Sequence, residues 1–202
     1  MERPIQMYFS YGENEILYLS SKDEILGKAI CEVGHIYREV NTDLFFSIIY
    51  HIIGQQVSVA AQKTIWKRMA DHFGKVTADK INKTSINELQ SFGITFRKAG
   101  YMNTTAMNVL QGELNLDNMW ELSDDVIKSL TKLPGIGIWT AEMILLFCMQ
   151  RPDIFSYEDL AIHRGLCKLY DKEKIDRKQF EKYKKQYSPY GSTASLYLWA
   201  IS

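Results

Sequence analysis

The chain has 202 residues, 46% hydrophobic and 24% charged, which is ample material for a buried core and marks an ordinary soluble composition. No apolar run approaches the roughly 20 residues of a membrane span, and the start, Met1-Glu2-Arg3-Pro4, lacks the basic-then-apolar pattern of a signal peptide. The 24 Lys and Arg cancel the 24 Asp and Glu, so net charge alone provides no attraction for a polyanion.

In chain order, Met7 to Ser20 is ambiguous: Tyr8-Phe9-Ser10-Tyr11 fits a strand and Glu13 to Leu19 a helix. Lys22 to Val33 predicts an amphipathic helix on Ile25, Ala29, Ile30 and Val33, and Leu44 to Ile53 is apolar nearly all round, the mark of a central buried helix. Gln55 to Phe73 repeats Val57, Ala61, Ile65, Met69 and Phe73 every four residues and stops at Gly74. Shorter helices fit Ser85 to Phe92 and Arg97 to Leu110, with Gly93 between them.

Ser123-Asp124-Asp125 offers an N-cap and first-turn acids for a helix through Val126, Ile127, Leu130 and Leu133. Pro134 cannot extend it, and Gly135 and Gly137 tolerate the positive φ of a tight turn. A second helix starts near Ile138, with Ala141, Ile144, Leu145 and Cys148 at helical spacing. Its unpaired N–H groups and dipole end form an anion site that bare glycine lets a phosphate approach. A plain pair of helices joined by a glycine turn is the alternative. After Asp159 a helix fits Leu160, Ile162, Leu166 and Leu169, another fits Lys172 to Tyr187, and the last runs from about Ser192.

Charge is unevenly placed. Arg164 to Lys185 holds nine basic and four acidic residues, whereas Met1 to Asp43 holds four basic and eight acidic ones. Such a chain can present one positive face. Cys31, Cys148 and Cys167 are far apart on apolar-looking segments, expected to be reduced, buried thiols of a cytoplasmic protein. No CxxC pair is present, so no zinc site is expected, and His51 and His163 lack ligand spacing.

Leu133-Pro134-Gly135-Ile136-Gly137-Ile138-Trp139-Thr140-Ala141, followed by Asp159, resembles the helix-hairpin-helix–Gly/Pro/Asp superfamily of DNA base-excision glycosylases. Within it, the similarity is closest to the alkylated-base branch, 3-methyladenine DNA glycosylase II. Ile53-Gly54-Gln55-Gln56-Val57-Ser58 resembles that branch's Gly-Gln-Gln-x-Ser signature, and Pro189-Tyr190-Gly191 is a weaker match. The resemblance spans roughly residues 22 to 202.

It implies an all-α, two-lobed glycosylase fold in one domain, residues 1–202, with an interlobe cleft. One lobe would be 43–132 and the other 1–42 plus 133–202, the hairpin motif lying at about 124–149. Asp159 matches the superfamily's catalytic aspartate; periodicity alone would not separate it from Glu158, and Asp159 equally suits the N-cap of the following helix. Trp139 resembles a wall of the base pocket, or else packs as a helix-face core residue, and Tyr190 is a second wall. Tyr157 and Trp199 read as structural.

Gly135, Gly137 and Ile138 would meet the DNA backbone. Ile53, otherwise a core residue, matches an intercalating wedge, with Gln55 or Gln56 contacting the strand or the orphaned base. Backbone carbonyls of Thr131, Leu133 and Ile136 match those that hold a sodium or potassium ion in related hairpins. No iron–sulfur cluster is expected. Where strand-cutting relatives carry a lysine, this chain reads Gly137-Ile138-Trp139-Thr140. The implied activity is monofunctional removal of alkylated purines from duplex DNA by a monomer. A non-catalytic DNA-binding module and a glycosylase for another lesion, such as oxidised purine or uracil, are the alternatives.

Overall fold

The computed structural model describes residues 7–121 and 125–202. About two thirds of it is helical and the strands β1 and β2 are two residues each, so the all-α class holds. The elements are β1 (Met7–Tyr8), α1 (Glu13–Lys22), α2 (Glu24–Val33), β2 (Glu39–Val40), α3 (Leu44–Gly54), α4 (Val59–Phe73), α5 (Ala78–Lys83) and α6 (Ile86–Ser91). They continue with α7 (Phe96–Leu110), α8 (Asn118–Glu121), α9 (Val126–Leu130), α10 (Ile138–Phe147), α11 (Leu160–Leu169), α12 (Arg177–Tyr187) and α13 (Gly191–Ile201). Ser123 and Asp124, expected as cap residues, lie outside the described residues. Asp125 makes no cap bond and instead pairs with Lys128 at 2.8 Å.

Short polar side chains set most helix starts. Asp23, Asp43, Ser58, Thr77, Ser85, Thr95, Asp159 and Asp176 each accept first-turn N–H groups. Each such cap satisfies a donor that would otherwise lack a partner, worth about 1 kcal/mol. Caps also explain where the pattern misled. The apolar repeat from Val57 predicted a helix from Gln55, but Ser58 caps α4 and Gln56 takes φ 55°, so residues 55–58 form a turn. Asp176, in a capping box with Gln179, delays α12 to Arg177.

By backbone proximity the chain divides into two units. One comprises Met1–Val40 and Leu145–Ser202, the other Asn41–Ile144. The hairpin residues 133–138 therefore belong to the second unit, although the sequence reading grouped them with the termini. Their anchors explain this: Gly135 lies against Tyr101 and bonds Gln55, both in 41–144.

The first unit encloses Leu19, Leu26, Ile30, Phe155, Ile162, Leu166, Phe180, Tyr187, Tyr197 and Leu198. Helices α11 and α13 pack closely at Gly165, where any Cβ would meet the Leu198 backbone. Asp23 caps α2 through Oδ1, while its Oδ2 accepts from the Tyr170 hydroxyl and from Gln186 Nε2 at 2.9 Å. Burial drives the Tyr170 and Tyr187 hydroxyls well above the usual tyrosine range, so both stay protonated. The ribbon of β1 and β2 pairs Met7 with Val40 and Tyr8 with Glu39.

The second unit is built around α3, whose Leu44, Phe45, Ile48, Ile49, Ile52 and Ile53 are all buried. Helix α7 packs against α3, α5 and α6. Among the described residues no helix is long and apolar enough to cross a membrane. Cys148 is buried and Cys167 half-buried, but Cys31 is exposed, because it lies on the outer face of α2.

Candidate active site and nucleic-acid interface

In the second unit, α9 ends in a tight turn that reopens as α10. Leu133 N–H donates to Leu130, Ile136 N–H to Leu133 and Ala141 N–H to Gly137. Leu133 and Ile136 are buried and tie the turn to the core, leaving Gly135 and Gly137 exposed. The two glycines differ in kind. Gly135 takes φ 84°, and a Cβ there would overlap the Tyr101 ring, so the fold itself requires glycine. Gly137, which could tolerate a positive φ, does not take one, and a Cβ there would meet nothing within 4 Å. Ile138 and Trp139, opening α10, are 57% and 41% exposed.

A second turn lies beside the first. Gln55 Nε2 donates to the Gly135 carbonyl at 2.5 Å, joining the Gly54–Ser58 turn to the hairpin. The sequence placed both segments among DNA contacts but could not show that they are bonded. Lys98, from α7, reaches beneath this turn and donates to the carbonyls of Ile53 at 2.9 Å and Gln55 at 2.6 Å. Its ammonium sits below the ordinary lysine range, through burial first and the Arg97 charge second. Sequence reasoning passed over Lys98. The available signal was a lysine on the same stripe as Ala99, Met102 and Ala106, all fully buried.

Ile53 corrects an expectation. It is wholly buried in α3, so it cannot serve as a wedge; the residues this turn exposes are Gln56, Val57 and Ser58. The register of α3 decides this, since Ile53 follows Ile49 by one turn on the core side. His51 is a structural residue as expected: its Nδ1 lies 2.8 Å from the Ser47 carbonyl, and burial lowers its pKa.

In the first unit, Asp159 is 6% exposed and caps α11, its Oδ1 accepting from Ala161 N at 2.8 Å and Ile162 N at 3.0 Å. Glu158 is exposed. The pair that periodicity left undecided is thus separated: one carboxylate is fixed, the other solvated. Tyr190 precedes α13, half-buried, edge-on to Tyr18 at 5.1 Å. Tyr157 packs on His163 and Phe180 with Arg177 over its ring at 4.2 Å, and Trp199 stacks on Phe147, both structural contacts.

Comparison with known proteins shows what fold and family this chain shares. A DNA-3-methyladenine glycosidase from Bacillus halodurans has a crystal structure that matches with a TM-score of 0.83 at 30% identity. The match covers 96% of this chain and 91% of that one. A Schizosaccharomyces pombe 3-methyladenine DNA glycosylase, solved in complex with abasic DNA, also gives 0.83, at 26% identity over 93% and 95% of the two chains. DNA-3-methyladenine glycosylase 2 of Escherichia coli (strain K12) is 25% identical over 168 residues, 78% of this chain and 57% of that protein. The chain likewise spans little more than half the length of two Bacillus subtilis relatives, 55% and 57%. The family model of HhH-GPD superfamily base excision DNA repair proteins matches residues 49–189, which include the Gly54–Ser58 turn, the two-glycine hairpin and Asp159. With most of its length in that match, the chain belongs to the HhH-GPD superfamily.

Proposed function

We infer that this chain is a monofunctional DNA glycosylase, a cytoplasmic monomer that hydrolyses the N-glycosidic bond of alkylated purines in duplex DNA. The observation that carries the DNA half is the exposure of Gly137-Ile138-Trp139. A Cβ at Gly137 would meet nothing within 4 Å, so packing does not require glycine there, and the two large side chains that follow stand 57% and 41% exposed. Glycine there, at the start of α10, leaves backbone N–H groups open to a phosphate. The relatives named for 3-methyladenine removal support the rest.

Breaking the bond develops positive charge on the sugar. The Asp159 carboxylate stabilises that charge and orients or deprotonates water. Extruding the nucleotide costs a few kcal/mol, and Gln55, Gln56 and Val57 contact the vacated stack. Trp139 and Tyr190 serve as aromatic walls. A purine methylated at N3 or N7 is cationic, attracted by a π face by about 0.5–2 kcal/mol. It is also already a good leaving group, so one carboxylate suffices without an acid partner.

The carbonyls of Thr131, Leu133 and Ile136 would hold a sodium or potassium ion. That of Leu133, which accepts Ile136 N–H at 3.1 Å, keeps a second lone pair for it. Such an ion would add positive charge beside the phosphate.

The direct test is release of 3-methyladenine and 7-methylguanine from alkylated duplex DNA. No release would leave a binding module, and release only from oxidised or uracil-containing duplex would reassign the lesion. Borohydride trapping should give no covalent adduct, since no lysine follows Gly137. Gly137→Ala should keep stability equal or raise it by less than about 1 kcal/mol, yet weaken duplex binding about tenfold. Thermal melts and fluorescence anisotropy read the two effects separately.

A further inference from the structure

The Gly54–Ser58 turn and the two-glycine hairpin are both held from one helix. Lys98 and Tyr101 stand three residues apart on α7, hence on the same face. The first fastens the Gly54–Ser58 turn by two carbonyls, and the second packs its ring on Gly135 of the hairpin. The bond from Gln55 Nε2 to the Gly135 carbonyl closes the circuit.

We propose that α7 is the platform that registers the two turns, with Lys98 as the positioning residue that presents Gln55 and Gln56. The mechanism is steric and electrostatic. Ile53 and Gln55 sit at the end of α3, where carbonyls lack intrahelical partners and the helix dipole is negative. One ammonium pulls both carbonyls inward. Turning the Gln55 carbonyl in sends its side chain out to Gly135, and the chain reverses at Gln56, which takes φ 55° and is exposed. Lys98, 8% exposed, is too covered to be a surface DNA contact and acts through the turn.

This inference rests on reading the two turns as DNA contacts, but its first measurement does not. In Lys98→Met, hydrogen exchange at amides 56–58 and 135–137 should accelerate, while those of Met102 and Ala106 within α7 stay protected. The second measurement is affinity for a duplex carrying a tetrahydrofuran abasic site. Lys98→Met should weaken binding by about 10- to 100-fold, as expected for losing charged hydrogen bonds. Gln55→Ala should weaken it less, and the double variant should bind no worse than Lys98→Met. Lys98→Arg should restore binding to within a few fold, and Lys83→Met, an exposed lysine of α5, should change nothing.

If Lys98→Met does not fold, Lys98→Gln, which reaches one carbonyl, should fall between wild type and loss. Unchanged exchange in the turns, wild-type affinity in Lys98→Gln, or strictly additive losses in the double variant would each overturn the proposal. A wild type that binds no duplex would sink the DNA reading while the exchange data still decide the platform.

Discussion

Replacing Asp159 by Asn should lower the rate of base release by about 10²–10⁴-fold while leaving the fold nearly untouched. The separation is possible because the proposed function gives Asp159 a second job beside the cap it forms. As a cap it accepts from Ala161 and Ile162 through Oδ1. Asn caps a helix as well as Asp does, so Asp159→Asn keeps that contribution and removes only the negative charge. Asp159→Ala loses both, and should add a destabilisation of about 1 kcal/mol. Single-turnover release beside thermal melts of the three proteins reads the two roles apart. Equal release by wild type and Asp159→Asn would end the assignment of Asp159 as the catalytic group.

The largest stability effect is expected at Gly165, where α11 and α13 approach so closely that a Cβ would press on the Leu198 carbonyl and backbone. Helix propensity favours alanine over glycine by about 1 kcal/mol. The clash is with backbone, which cannot rotate away, and costs about 3 kcal/mol. The clash wins. Gly165→Ala should lose about 2 kcal/mol, lowering Tm by roughly 4–8 °C. Gly100→Ala, in α7 with nothing within 4 Å of its Cβ, should do the reverse by about 0.5–1 kcal/mol. A melt in which both variants gain stability would mean the two helices stand further apart than described.

What the sequence made legible follows from where the information is local. The hairpin could be read because proline ends a helix and glycine permits a turn, both properties of single residues. Helix α3 could be read because apolar residues all round require burial. Ile53 could not be placed by motif alone, since the same pattern that marks a signature also continues a buried helix face. The start of α4 was lost because Val57 keeps the four-residue rhythm through a turn that the Ser58 cap and Gln56 impose. Lys98 and Tyr101 went unseen for a different reason. Their partners are 43 to 45 and 34 positions away in sequence, and no periodicity encodes a contact at that range.

The division of the chain has a bearing on its synthesis. Everything from Asn41 to Ile144 is one uninterrupted stretch, so its contacts can close while the ribosome is still at work. The unit that holds Asp159 draws on both Met1–Val40 and Leu145–Ser202 and must wait for the last helix. At about 5–20 residues per second, that delay amounts to several seconds. A nascent chain would therefore shape its two joined turns before it acquires the carboxylate's final setting; on the function proposed above, it would grip a backbone before it could release a base.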